Sequence, residues 1–524
     1  MARRVQGLSR AGALGALAWA VLIPGLAFSH DQPDSHDAQR VRNMQPFPDE
    51  TGAFATFSTQ GRIDTGSAFF QSLGTNGRSC ATCHAPNEAY TINPPAIRER
   101  FERTKGRDPL FASVDGANCT NASRSDRAAH SLLLNHGLIR VGITLPANAE
   151  FTISVVHDPY GCALTTDAKT GGLVASVYRR PLPSANLGFL STVMWDGRET
   201  TKPLNDGSSF LENLRANLTQ QAIDATAGHA EGVKQPTRRQ LAEIVDFELS
   251  LYTAQIWDGA AGALGRRGAQ GGPWPLANQL YYPGVNDPLG GEPNGLSFNS
   301  SAMTLFTAWA KRNGDDDADD MPAELRAQGW RPLARNYRTR ADARRDIAAG
   351  EKLFNTAPLT ISGVRGLNDN AALGKPAAIV GTCTTCHDAP NVGNHSLPLP
   401  LDIGVVHTAR GSLENDPLIA AALDQVGEPN LPVFEIKGCS NPFAGGQVVS
   451  FFTTDPGKAL ISGACSDVNR TKGPVLRALA TRAPYFHNGA AATLLQAVNF
   501  YDQRFQMKLT DDQKRQLVAF LNSL

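Results

Sequence analysis

Cys80-Ala81-Thr82-Cys83-His84 recurs far downstream as Cys383-Thr384-Thr385-Cys386-His387. The Cys-x-x-Cys-His spacing has one chemical use that employs all of its fixed positions: two thiols add to the vinyl groups of haem, and the adjacent His binds the iron. A redox Cys-x-x-Cys pair or half of a zinc site would leave the His without a role. With 8 Cys and 11 His in 524 residues, two complete runs do not arise by chance. The sequence therefore predicts two covalently bound haem c groups, held by Cys80, Cys83 and His84 and by Cys383, Cys386 and His387.

Each motif is approached in a similar way. Gly66-Ser67-Ala68-Phe69-Phe70 reads as a short helix leading through a Gly/Asn turn into the first, and Gly350-Glu351-Lys352-Leu353-Phe354 precedes the second. The repetition predicts two cytochrome c-like haem domains, residues 51–258 and 341–524. Between them residues 259–340 shift to Gly, Pro, Asn and Asp and read as an insertion partly ordered by Trp274, Trp309 and Trp330. Within it, Asp315 to Asp320 lacks the Gly and closing Glu of a calcium loop and reads as a solvated turn. Thr510 and Gln513 form a capping box ahead of Leu517, Phe520, Leu521 and Leu524, a packed terminal helix. The expected fold class is mainly α with long irregular loops, although runs such as Phe151 to Val156 look β-like.

Arg3, Arg4 and Arg10 precede an apolar run from Ala11 to Leu26 and the small residues Ala27-Phe28-Ser29. This reads as a cleaved secretory signal over residues 1–29, followed by a mobile leader over 30–50. Equal totals of 49 basic and 49 acidic residues give no global field for nucleic acid or an anionic membrane. No other stretch is apolar enough to span a bilayer, so a periplasmic protein is expected. The four Cys outside the motifs suit disulfides in that compartment, and Cys119–Cys162 with Cys439–Cys465 keeps each pair near one motif.

Further residues carry a resemblance. Leu476-Arg477, Ala483-Pro484-Tyr485-Phe486-His487-Asn488-Gly489 and Ala492-Thr493-Leu494 resemble the C-terminal signature of bacterial di-haem cytochrome c peroxidases and the related MauG enzyme. Asn186 and Val193-Met194-Trp195-Asp196-Gly197-Arg198 resemble the same family's N-terminal signature. The likeness runs from about Thr65 to the C-terminus and leaves residues 259–340 without a counterpart.

That resemblance implies an oxidoreductase that reduces hydrogen peroxide at the N-terminal haem, or uses it in MauG-like oxidation, with electrons passed from the C-terminal haem. It implies a small periplasmic donor, a cytochrome c or cupredoxin. The family's C-terminal axial Met lies fourteen positions after the His of the Pro-Tyr-Phe-His segment, and that position is Tyr501, the residue type MauG uses. Leu494, Val498 and Tyr501 share a helix face, which points Tyr501 inward; core packing is its other reading, and Met507 is the second candidate ligand. Arg477 and His487 are candidates for cofactor contacts. The family's distal His position is Arg100, which leaves the first haem open to peroxide or oxygen; His130 and His136 read as core or surface. Gln221 and Glu231 match the family's Gln and acid/base Glu, His229 is an alternative acid/base, and Trp195 matches a Trp between the haems. The family's interdomain calcium fits poorly, because its Asn ligand corresponds to Arg180 and its Thr carbonyl to Arg482; Arg180 is expected to take the ion's electrostatic place. Two rivals stay open: an oxygenase cleaving an apolar substrate, and a two-haem electron carrier.

Overall fold

Leu251–Asp258 reads Leu-Tyr-Thr-Ala-Gln-Ile-Trp-Asp, rich in residues that favour a pleated strand, and it forms one. The computed structural model describes residues 41–204, 209–311, 320–331, 337–390, 393, 397, 399–408 and 416–524. The predicted signal and most of the leader lie outside the described residues, as do residues 315–319 of the acidic run. Seven strands matter here: β1 Gly52–Ser58, β2 Ile139–Thr144, β3 Thr152–His157, β4 Leu173–Arg179, β5 Leu251–Asp258, β6 Val433–Ser440 and β7 Val448–Thr453. All pair antiparallel: β1 with β5, β2 with β4, and β3 with β6, which also takes β7 on its other edge.

These sheets overturn the expectation of a mainly α chain. Helix accounts for 32% and strand for 17%, with four sheets among the described residues. The physical reason is the distance in sequence between partners. β3 pairs with β6 across the whole middle of the chain, so β3 has no local hairpin partner that would announce it, and only β6 has one, in β7. In β1 and β5, buried alternation is hidden by small and hydroxyl residues: Thr56 and Thr253 face each other with hydroxyls 2.7 Å apart, and Ser58 meets Ser250 at 3.0 Å.

Six helices frame the rest: α1 Pro94–Thr104, α2 Phe210–Gly228, α3 Arg238–Ser250, α4 Arg340–Thr356, α5 Leu494–Arg504 and α6 Asp511–Asn522. The capping box at Thr510 and Gln513 starts α6 as expected. Gly350 lets α4 and α6 touch, since a Cβ there would lie 2.0 Å from the Gln516 carbonyl oxygen. Phe354, Phe520, Phe306 and Trp309 close the core behind this contact. Trp309 donates to the Arg266 carbonyl and Trp330 packs on Trp257, whereas Trp274 is exposed. Asp320, at the end of the acidic run, is buried rather than solvated: it accepts from Trp257 Nε1, Ala263 N and Arg340. The lead-in to the first motif is one 3-10 turn, Ala68–Phe70, and a hairpin of Leu359–Ser362 with Ala378–Gly381 separates α4 from the second.

Both predicted disulfides form, Cys119–Cys162 and Cys439–Cys465. No helix among the described residues is long and apolar enough to cross a membrane. At the end of β4, the fully buried Arg179 gives two bonds to Asp455, at 2.7 and 2.9 Å, and a third to Asp196. Burial alone would raise both carboxyls, but the Arg179 charge outweighs it and holds them below the ordinary range.

Arg179→Met should therefore lower stability by about 3–5 kcal/mol, since it leaves two buried carboxylates without their cation; urea unfolding reads this. In the parent chain, the stabilisation from Asp196 and Asp455 is complete above their unfolded values near pH 4 and is lost as pH falls through the lower folded values. The stability difference between Arg179→Met and the parent should accordingly be largest near neutral pH and shrink as pH falls below about 4, which urea unfolding at a series of pH values reads.

Candidate functional site

The two motifs fold alike because the third residue of each is a threonine whose hydroxyl accepts from the backbone just ahead of the motif. Ser79 N donates to Thr82 Oγ1 at 3.0 Å, and Thr382 N to Thr385 Oγ1 at 2.9 Å, each part of a capping box around a 3-10 turn. The His84 and His387 amides close these turns onto the carbonyls of Cys80 and Cys383. Both thiols and the His of each motif then line one cavity. The cavity at His84 holds about 1410 Å³ of space, open mouth included, and the one at His387 about 1740 Å³.

Burial pushes the thiols up, Cys83 to about 11 and Cys80, Cys383 and Cys386 to about 12. A redox pair needs an accessible thiolate, and these are the reverse. Burial also pushes His84 down to about 4, which keeps its imidazole neutral. Its Nδ1 bonds the Tyr90 carbonyl at 3.0 Å, an oxygen turned toward it by left-handed Ala89 and Tyr90. Nε2 is thereby left as the lone-pair nitrogen, the arrangement of a metal-binding His. Paired thiols, a neutral oriented imidazole and a largely apolar cavity of this size fit a covalently attached porphyrin at His84; the same thiol and His set fits one at His387.

The first cavity gathers most of the predicted residues. Gln221 on α2 and His229 at its C-cap are in the wall, as is Trp195. Glu231 is not: it is exposed, in a left-handed conformation, and accepts from Asn76 Nδ2 at 3.0 Å. Sequence reasoning missed Asp115. One of its oxygens holds His229 Nδ1 and the other Arg78, whose guanidinium also donates to the carbonyls of Pro109, Leu110 and His229. Burial raises the Asp115 carboxyl, but His229 and then Arg78 outweigh it and bring it below the ordinary range. No local pattern joins Asp115 to His229, since the fold alone brings them together. Arg100 on α1 pairs with Asp108 and donates to the Thr82 carbonyl, bracing the motif from behind. His130 bonds the Gly116 and Arg124 carbonyls beside Phe101 and Phe111, a core histidine.

The second cavity brings together both candidate ligands, Tyr501 on α5 and Met507 just after it, with His387. The Tyr501 hydroxyl has no hydrogen-bond partner among the described residues, and burial raises its pKa. His487 lies in the same wall, buried, with Nε2 unbonded and 3.7 Å from Asp455. Arg477 is buried behind the wall, donating to the Pro390 carbonyl at 3.0 Å through Nε.

A thin partition separates the cavities. Arg180, Pro181, Trp195, Lys472 and Val475 belong to both walls. Trp195 Nε1 donates to the Arg180 carbonyl at 2.8 Å, and its ring lies 5.8 Å from that of His487. The Arg180 guanidinium sits among the carbonyl oxygens of His136, Ile92 and Arg482, at 3.0, 3.0 and 3.2 Å. A cation is thus already supplied, by a side chain, where these three segments meet.

No family model matches the chain. Among curated proteins, it is similar to the cytochrome-c peroxidase IdrP2 of Denitromonas iodatirespirans, 41% identical over 78 residues. That match spans 14% of this chain and only 21% of the relative.

Asp115→Asn should cost about 3–5 kcal/mol in urea unfolding, because Arg78 loses its anion inside the protein. His229→Gln, at a half-exposed position, should cost less than about 1 kcal/mol. The inequality between the two variants checks that Asp115 is anchored by Arg78 first and orients His229 second.

Proposed function

We propose that this chain is a periplasmic di-haem c-type oxidoreductase that reduces hydrogen peroxide on the His84 side with electrons delivered from the His387 side. The carrying observation is the pair of motif-lined cavities sharing a partition that contains Trp195. The partial likeness to a cytochrome-c peroxidase and the two disulfides, which suit an oxidising compartment, support the reading. The donor would be a small periplasmic cytochrome c or cupredoxin.

Cys80, Cys83 and His84 would hold one haem, and Cys383, Cys386 and His387 the other, with Tyr501 the preferred second ligand on that side because its hydroxyl lacks a protein partner. When bound, haem supplies the redox-active iron at which a peroxide bond is reduced. The chain's own residues manage the protons. Reduction of hydrogen peroxide to two waters consumes two electrons and two protons, and one proton must move from the near to the departing oxygen. His229 fits this task. Asp115 holds its Nδ1, which leaves Nε2 to take up and return a proton, and it stabilises the imidazolium while the proton is carried. Gln221, on the same helix, can orient the peroxide by hydrogen bonding. Trp195 offers an aromatic step between the two sides. The apolar walls alone do not favour an oxygenase, because a porphyrin pocket is itself apolar; the His229–Asp115 pair is what favours peroxide.

Low-temperature EPR of the oxidised protein, before and after a small excess of hydrogen peroxide, tests the proposal. One high-spin and one low-spin signal, the former consumed by peroxide, are expected. Two low-spin signals that ignore peroxide, even in half-reduced protein, would point to a carrier instead. His229→Gln should lower peroxide turnover by about 100-fold or more, while Glu231→Gln leaves it within about twofold. Tyr501→Phe should change the low-spin spectrum and Met507→Leu should not.

A further inference from the structure

The wall of the first cavity carries five cations: Arg78, Arg179, Arg180, Arg198 and Lys472. Four are accounted for by the protein. Arg78 pairs with Asp115, Arg179 with Asp455 and Asp196, and Arg198 with Asp196, while Arg180 is spread over three carbonyls. Lys472 is different. It is 3% exposed, and its ammonium has neither a carboxylate nor a carbonyl partner among the described residues. Its hydrogen bond among the described residues is through the backbone, N–H to the Trp195 carbonyl at 2.8 Å, which ties it to the partition. It also belongs to the wall of the second cavity.

A buried ammonium without an anion is costly, by several kcal/mol, and natural chains keep one only where something else pairs it. Burial and the nearby Arg482 charge push this lysine down to about 7. An apolar residue such as Met would fill the same space at no such cost. The position therefore points to an anion that arrives with what fills the cavities. Porphyrins of the haem type carry two carboxylate arms each, and a cation near a redox iron favours its reduced, less positive state.

Resting on the two-haem reading above, we propose that Lys472 is a shared counter-charge: its single ammonium pairs with the carboxylate arms of the groups bound on both sides of the partition and raises the reduction potentials of both together. One lysine then sets the level of both ends of the electron path without changing the gap between them. Arg180 and Arg482, already committed to carbonyl oxygens, do not serve this purpose.

The test uses holoprotein. Pyridine haemochrome assay of the parent comes first: fewer than two haems per chain would reject the two-haem reading independently of Lys472. With two haems present, spectroelectrochemical titration compares the parent with Lys472→Met, Lys472→Arg and, as an exposed control, Lys437→Met. In Lys472→Met, the ratio of reduced to oxidised iron at a fixed poise should fall about tenfold for both haems, about 59 mV for a one-electron couple. Lys472→Arg and the control should keep both potentials. A shift in one haem only, in neither, or of equal size in Lys472→Arg overturns the proposal, the last because it would mark packing rather than charge. Should Lys472→Met not fold, Lys472→Gln is titrated in its place. If neither neutral variant folds, a Lys472→Arg protein that folds with both potentials kept supports the charge, and one that does not fold overturns it.

Discussion

The buried guanidinium of Arg179 is the constraint on which the rest of the molecule turns. It ends β4, and its three bonds to Asp455 and Asp196 draw together a strand from the first half of the chain, a turn from the second, and the Trp-Asp-Gly-Arg segment. The next residues inherit their places from that anchor. Arg180 gives its carbonyl to Trp195 and takes the His487 carbonyl on its amide, and the Pro181 carbonyl accepts from Thr91. A short stretch of backbone, fixed at one end by a charge cluster, thereby becomes the partition between two cavities. Ion pairs buried this deeply add little net stability against a well-packed apolar core, but they tolerate no shift of register.

How much of this was legible in the sequence depends on the range of the interaction involved. Features set within a few residues were readable. The motifs declare their own geometry, and the hydroxyls of Thr82 and Thr385 even explain why the two turns are alike in their bonding. The helix cap at Thr510 and the two disulfides followed from local pattern and proximity. The pairing of β3 did not, because its partner β6 lies nearly 280 residues away. The candidate acid/base group shows the same limit. Counting ten positions from Gln221 selects Glu231, but α2 ends at Gly228, and the left-handed turn at Glu231 carries that side chain out to Asn76. The residue that orients His229 is Asp115, from a loop that sequence offers no reason to connect with it.

The His229–Asp115–Arg78 chain also shows how the cavity divides its labour. Arg78 is nearly inaccessible and has five carbonyl or carboxylate partners, so its position is set by the fold whatever the cavity holds. Asp115 shares that rigidity on one oxygen and passes it to His229 through the other. His229 alone is partly exposed, the one member able to exchange a proton with what lies beyond it. Rigidity thus decreases stepwise toward the open space, which is the order a proton-handling group needs: a fixed orientation with a labile outer nitrogen.

The same logic separates the two cations at the partition. Arg180 is saturated by carbonyl oxygens, so its charge is spent on joining three segments and is hardly changed by what binds nearby. Lys472 is held only by its backbone, and its ammonium is left to respond to an occupant. The compact ammonium of Lys472 stays unpaired by protein until an anion comes within reach. The two cations therefore differ in what they bind: fixed dipoles of the fold in the first case, a removable anion in the second.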